Sequence, residues 1–253
     1  VTTHTTYGTG YSTAAPTEAQ VLRTHHNFKA DGTKIGIIAC HSATARATAA
    51  FPNPTISNVY PKIQAWLAEC GWPVLTADLS GDPCGNDTGT ARVEEARVYL
   101  QSKGAKSGKV ILLGWSEGGM IATNYTRVYP NNVAAMVLLQ PGSDITDVVT
   151  NNRGGFAALL NAAYSGGWSE ATYGATHNPV DIAPLLTAIP SWVGYATDDT
   201  VVLPSTVATL ASGLQASAVY TNTGNHGDGF LSHLVDADGS VGMISRWLAA
   251  QGL

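Results

Sequence analysis

The stretch Val110-Ile111-Leu112-Leu113-Gly114-Trp115 runs without a break into Ser116-Glu117-Gly118-Gly119-Met120-Ile121. Its first half is too uniformly apolar to have a wet face, so it reads as a central strand covered on both sides. From Glu117 the pattern becomes helical and continues until Pro130 stops it. Ser116 therefore sits at a sharp strand-to-helix turn inside a G-x-S-x-G motif. Small residues at Gly114 and Gly118 let the backbone pass close to its neighbours. The serine projects above the sheet edge at a helix N-terminus, where backbone N–H groups favour developing negative charge.

The same alternation extends in both directions. Upstream come QVLRTHHNFK (20–29) and KIGIIAC (34–40) as strands, NVYPKIQAWLAEC (58–70) as a helix, WPVLTADL (72–79) as a strand, and RVEEARVYLQSKG (92–104) as a helix closed by Gly104. Downstream, VAAMVLLQ (133–140) is a strand. The rhythm then pauses for some 45 residues, longer than an unstructured loop in one domain, so 141–190 reads as an inserted cap or lid with two short helices, in 154–168 and 179–190. It resumes with SWVGYAT (191–197) as a strand, PSTVATLASGLQ (204–215) as a helix, SAVYTNT (217–223) as a strand, and a last helix ending MISRWLAAQ (243–251). The expected architecture is α/β: one domain over 1–253, with a mostly parallel sheet flanked by helices on both faces. The Thr- and Gly-rich opening, 1–15, reads as a surface arm or edge segment.

Three further segments follow in a telling order. His41-Ser42 ends the strand IGIIAC, Tyr195-Ala196-Thr197-Asp198-Asp199-Thr200-Val201-Val202 follows the cap, and Asn225-His226-Gly227-Asp228-Gly229 lies between the last strand and the last helix. Together with the Ser116 turn, this resembles the α/β-hydrolase superfamily from about Gln20 to the C-terminus. The resemblance implies Ser116 as nucleophile, His226 as base and Asp199 as orienting acid, with Asp198 the competing acid and otherwise a turn residue. It implies backbone amides of Glu117 and Ser42 as the oxyanion hole, with Ala43 the alternative to Ser42, which stands where this superfamily usually has Gly. Asp78-Leu79-Ser80-Gly81 with Gly85 resembles a structural loop of the superfamily, so Asp78 is given a turn role and no chemistry. His233 reads as a packed residue of the following helix.

Composition limits the partners. The chain has 253 residues, 44% of them hydrophobic and only 12% charged, with a net charge of −5 and no basic run, which argues against nucleic acid and acidic membranes. No stretch of about 18 apolar residues could form a transmembrane segment. No G-x-G-x-x-G or ligand-spaced Cys/His pair calls for a cofactor or a metal, so none is expected. Cys40, Cys70 and Cys84 leave an odd thiol. Cys70 and Cys84 flank a run spanning roughly 23 Å if extended, whereas a Cys40–Cys84 bridge is geometrically feasible. Of two N-x-S/T sequons, Asn124 reads as covered, and the one at Asn86 is discounted with it. The chain thus reads as a soluble serine hydrolase of small-molecule or lipid-like esters, an esterase or lipase in the broad sense, with an extracellular or virion-associated setting. The alternatives are a serine peptidase or amidase, or a catalytically silent binding protein of the same fold.

Overall fold

A computed structural model describes residues 3–9, 19–44, 59–77, 79–236 and 241–253, and among these described residues are eight strands and ten helices. In chain order they are β1 (Thr3–Thr9), β2 (Ala19–His25), β3 (Ile37–Cys40), α1 (Tyr60–Glu69), β4 (Val74–Thr76), α2 (Asp87–Ser102), β5 (Val110–Trp115), α3 (Glu117–Val128) and β6 (Val133–Leu139). The 141–190 segment carries α4 (Ile145–Asn151), α5 (Ala157–Ala163), α6 (Ala175–His177) and α7 (Pro179–Ile182). Then follow β7 (Ser191–Ala196), α8 (Pro204–Gly213), β8 (Ala218–Asn222), α9 (Asp228–Leu231) and α10 (Gly242–Ala250).

The strands form one sheet in the order β1-β2-β4-β3-β5-β6-β7-β8. From β4 to β8 every neighbouring pair is parallel, and the β1–β2 and β2–β4 pairs are antiparallel. Period-two alternation sends each strand's residues to two cores. In β3, Ile38 and Cys40 join Leu112, Met136 and Val193 beneath α2, α3 and α8. Ile37 and Ala39 join Ile111, Leu113 and Trp192 beneath α1 and α10. Both faces are covered, as the apolar runs require. Register aligns Cys40 with Gly114, Trp115 with Leu139, and Ala196 with Asn222, so the C-terminal ends of β3, β5, β6, β7 and β8 share one edge of the sheet.

Three expectations need correction, namely the start of α2, the number of helices in 141–190 and the packing of His233. Helix α2 begins at Asp87, ahead of the expected Arg92, because the Asn86 side chain caps it by accepting from the Gly89 N–H at 3.1 Å. The 141–190 segment holds four helices where two were expected. His233 is exposed, in a short 3₁₀ turn, Ser232–Leu234, and is not packed within a helix. All three cysteines are free. Asn124 is fully buried, its amide donating to the His177 carbonyl. The expected arm contributes β1 at the sheet edge, and Asp78 lies outside the described residues. Among the described residues no helix is long and apolar enough to cross a membrane.

Tyr60, buried at the start of α1, ties the two strands that frame the serine turn. Its hydroxyl lies 2.9 Å from the Cys40 carbonyl and 3.0 Å from that of Leu113. Tyr60→Phe should therefore lower the unfolding free energy by about 1 kcal/mol. Denaturant melts of the two proteins check this, and equal midpoints would show the hydroxyl to be energetically idle.

Candidate active site

The turn after β5 forces Ser116 into an unusual backbone conformation, φ 54° and ψ −117°. Its backbone is held from three sides. The Ser116 N–H donates to the Leu139 carbonyl at 3.0 Å, while its carbonyl accepts from Gly119 N–H at 2.9 Å and Gly142 N–H at 2.8 Å. A Cβ at Gly114 would stand 2.5 Å from the Gly118 carbonyl oxygen, and one at Gly118 would stand 2.2 Å from that of Cys40. Both glycines are therefore steric requirements of the turn.

The loop after β8 brings His226 over the serine. Ser116 Oγ lies 2.9 Å from His226 Nε2, and His226 Nδ1 lies 2.7 Å from Asp199 Oδ2, across 110 and 27 residues of chain. Asp199 is 3% exposed, and its Oδ1 accepts from the N–H groups of Val201 at 2.8 Å and Val202 at 2.9 Å. The buried carboxylate is thus supplied with donors, as its burial demands. Asp198 turns the other way. Its Oδ1 accepts from Gly224 N–H at 3.0 Å and Asn225 N–H at 2.9 Å, and these bonds, led by the one from Asn225, lower its pKa. It shapes the histidine loop without meeting the histidine ring.

A narrow pocket opens beside Ser116, with Glu117, Ala43, Cys84 and Met120 on one side and Val148, Phe156, Leu159 and Leu160 of the 141–190 segment on the other. Of the two loop residues considered for the oxyanion hole, Ala43 borders this pocket, while Ser42 is buried and does not line it. Burial pushes the Cys40 thiol up to about 12 and the Cys84 thiol higher still, so neither supplies a thiolate near neutral pH. Among the described residues, no group of three or more His, Cys, Asp or Glu side chains is placed to hold a metal ion.

A family model described as the alpha/beta hydrolase fold matches residues 40–227, well over half of the sequence. The chain belongs to the α/β-hydrolase fold family. Among solved structures it is similar to esterase B from Lactobacillus rhamnosis, with a TM-score of 0.74 at 14% identity over 99% of this chain and 85% of the other. Est1E from Butyrivibrio proteoclasticus aligns with a TM-score of 0.71 at 14% identity over 98% of both chains. A prolyl endopeptidase aligns with 0.71 at 14% identity, covering 99% of this chain. The chain spans only 39% of that peptidase and 36% of a putative dipeptidyl aminopeptidase IV from Bacteroides ovatus. Identities this low speak for the fold alone. Comparison with curated protein sequences returned no match.

Two side chains of this α/β-hydrolase site were given no role from the sequence. One is Gln140 at the end of β6, whose Nε2 lies 3.3 Å from Asp199 Oδ2. The other is the Glu117 carboxyl. It is 3% exposed, Oε1 accepts from the Cys84 N–H at 2.7 Å, and Oε2 has no hydrogen-bond partner. Burial raises its pKa to about 8, an effect that the charge of His41 and the Cys84 N–H only partly offset.

That shift fixes a pH dependence. In the unfolded chain the carboxyl titrates near 4.5, in the folded protein near 8, so between these values the native state holds the extra proton. Its contribution to stability is complete below about pH 4.5 and is lost as pH rises through about 8. Glu117→Gln keeps an acceptor for Cys84 and removes the titration. Melting temperatures from pH 5 to 8.5 should fall less steeply for the variant than for wild type, and parallel curves would rule out a buried, protonated Glu117. Separately, Gly118→Ala should destabilise by about 1–3 kcal/mol or more through overlap with the Cys40 carbonyl, which thermal melts check.

Proposed function

We propose that this protein is a serine hydrolase cleaving carboxylic esters through an acyl-enzyme, with Ser116 as nucleophile, His226 as general base and Asp199 as the orienting acid. The reading rests on the continuous chain from Ser116 Oγ to His226 Nε2 at 2.9 Å and from His226 Nδ1 to Asp199 Oδ2 at 2.7 Å. In this mechanism His226 takes the Ser116 proton as Oγ bonds to the substrate carbonyl carbon. The oxyanion meets the N–H of Glu117, at the N-terminus of α3, and one from the 42–43 loop. Collapse expels the alcohol, which receives the proton from His226. Water activated by the same imidazole then hydrolyses the acyl-serine and restores the hydroxyl.

The fold is shared by esterases and a peptidase, so it does not choose between ester and amide. The pocket favours an uncharged, short acyl group, because it is narrow and walled by Met120, Val148, Phe156, Leu159 and Leu160. In this reading the 141–190 segment acts as a cap that sets acyl length. The weakly charged, Thr- and Gly-rich composition supports an extracellular or virion-associated setting.

Fluorophosphonate labelling with mass-spectrometric mapping should place the adduct on Ser116. Ser116→Ala should lower p-nitrophenyl ester turnover about 10³-fold or more. Across acetate, butyrate and palmitate, kcat/KM should fall about tenfold or more at the long end, and matched anilides should be poor substrates. Anilide turnover equal to that of esters would make the protein an amidase, and a folded sample with neither label nor turnover would end the hydrolase reading.

A further inference from the structure

Gln140 meets both the acid and the loop that carries the histidine. It is fully buried at the end of β6 with φ 42°, and its N–H donates to the Gly194 carbonyl of β7 at 2.7 Å, which locks the backbone in place. Its side-chain amide is used on both sides. Nε2 donates to the Asn225 carbonyl at 2.5 Å and to Asp199 Oδ2 at 3.3 Å, and Oε1 accepts from the Gly227 N–H at 2.9 Å. The peptides before and after His226 are therefore both gripped by one side chain, which also supports the carboxylate that orients the imidazole. Only a neutral amide offers two donors and an acceptor in this arrangement, and flipping it would set the NH₂ against Gly227 N–H and the oxygen against two acceptors.

We propose that Gln140 is a positioning residue for the reaction, clamping the His226 loop and Asp199 in mutual register so that Nε2 stays within reach of Ser116. This rests on the serine-hydrolase reading above. The immediate backbone neighbours of Gln140 add to the argument. Leu139 accepts from the Ser116 N–H, and Gly142 donates to the Ser116 carbonyl, so the turn that holds Gln140 also steadies the nucleophile. The titratable groups around the amide are Asp199 from the end of β7, His226 from the end of β8, and Asp198, which binds the other side of the histidine loop.

Two variants test the clamp. Gln140→Leu removes all three side-chain bonds without adding charge. By analogy with partners that orient a metal ligand from outside, it should lower kcat and the Ser116 fluorophosphonate labelling rate by about 10–100-fold, with KM for a short ester little changed. Gln140→Glu, a carboxyl buried between the Asn225 carbonyl and Asp199 Oδ2, keeps its proton and donates one hydrogen bond in place of two while still accepting from Gly227 N–H. It should recover part of the kcat and labelling rate lost in Gln140→Leu, a rescue that a glutamine serving stability alone would not give. Should Gln140→Leu fail to fold, Gln140→Asn, which keeps the amide but shortens its reach, carries the same kcat and labelling test. Wild-type labelling and turnover with all folded variants within twofold of wild type would overturn the clamp while leaving the serine hydrolase intact. Absence of wild-type labelling and turnover would instead remove the reading on which it rests.

Discussion

The close approach of β3 to the first turn of α3 governs the rest of the structure. It exists because Gly118 has no side chain, since a Cβ there would lie 2.2 Å from the Cys40 carbonyl oxygen and 2.9 Å from that of His41. The contact presses the loop after β3 against the serine turn, and Ala43 thereby comes to line the same pocket as Ser116 and Glu117. It also leaves Ser116 with φ 54°, a conformation costing on the order of 1–3 kcal/mol. That strain persists because the surrounding strand residues, Ile111 to Leu113 and Val137 to Leu139, are essentially inaccessible to solvent and cannot relax around it.

Two buried carboxyls in this site are supported in different ways. Asp199 accepts from two backbone N–H groups, from His226 and from Gln140, so each oxygen has donors. Glu117 has a single backbone donor on Oε1 and nothing on Oε2, and burial keeps its proton on to about pH 8. Both residues are 3% exposed, so the two differ in number of donors and not in depth. In the proposed mechanism, a neutral Glu117 leaves the adjacent helix N-terminus free of an anion that would compete with the developing oxyanion.

The sequence made most of the sheet legible because uniformly apolar runs such as VILLG have few alternatives once helices flank them. The serine turn was legible for a related reason, since the glycines and the change of period occur within a few residues of each other. Asp199 and Asp198 are adjacent and chemically identical, and only the course of the chain after β7 turns one toward His226 and the other toward Gly224 and Asn225. Gln140 was silent because its three partners lie 59 to 87 residues away and a glutamine at a strand end has no local signature. The start of α2 was hidden by Thr and Gly in its first turn, which lower helix propensity while the Asn86 cap restores it.

In the proposed reading, chemistry and selectivity belong to different parts of the chain. Strand ends position the reacting groups, and the 141–190 segment supplies Val148, Phe156, Leu159 and Leu160 to the pocket wall. That wall is fastened to the body by polar contacts. Asn86 donates to the Ala163 carbonyl at 2.7 Å, the Tyr164 hydroxyl to the Cys84 carbonyl at 2.9 Å, and Asn124 to the His177 carbonyl at 2.8 Å. Swinging the segment away would exchange these bonds for ones to water, at a net cost of about 0.5–1.5 kcal/mol each. The same helices also bury Ile145, Val148, Leu160 and Tyr164 against Cys84 and Met120. A segment anchored in this way works as a fixed wall, so that acyl selection follows from the shape of the pocket.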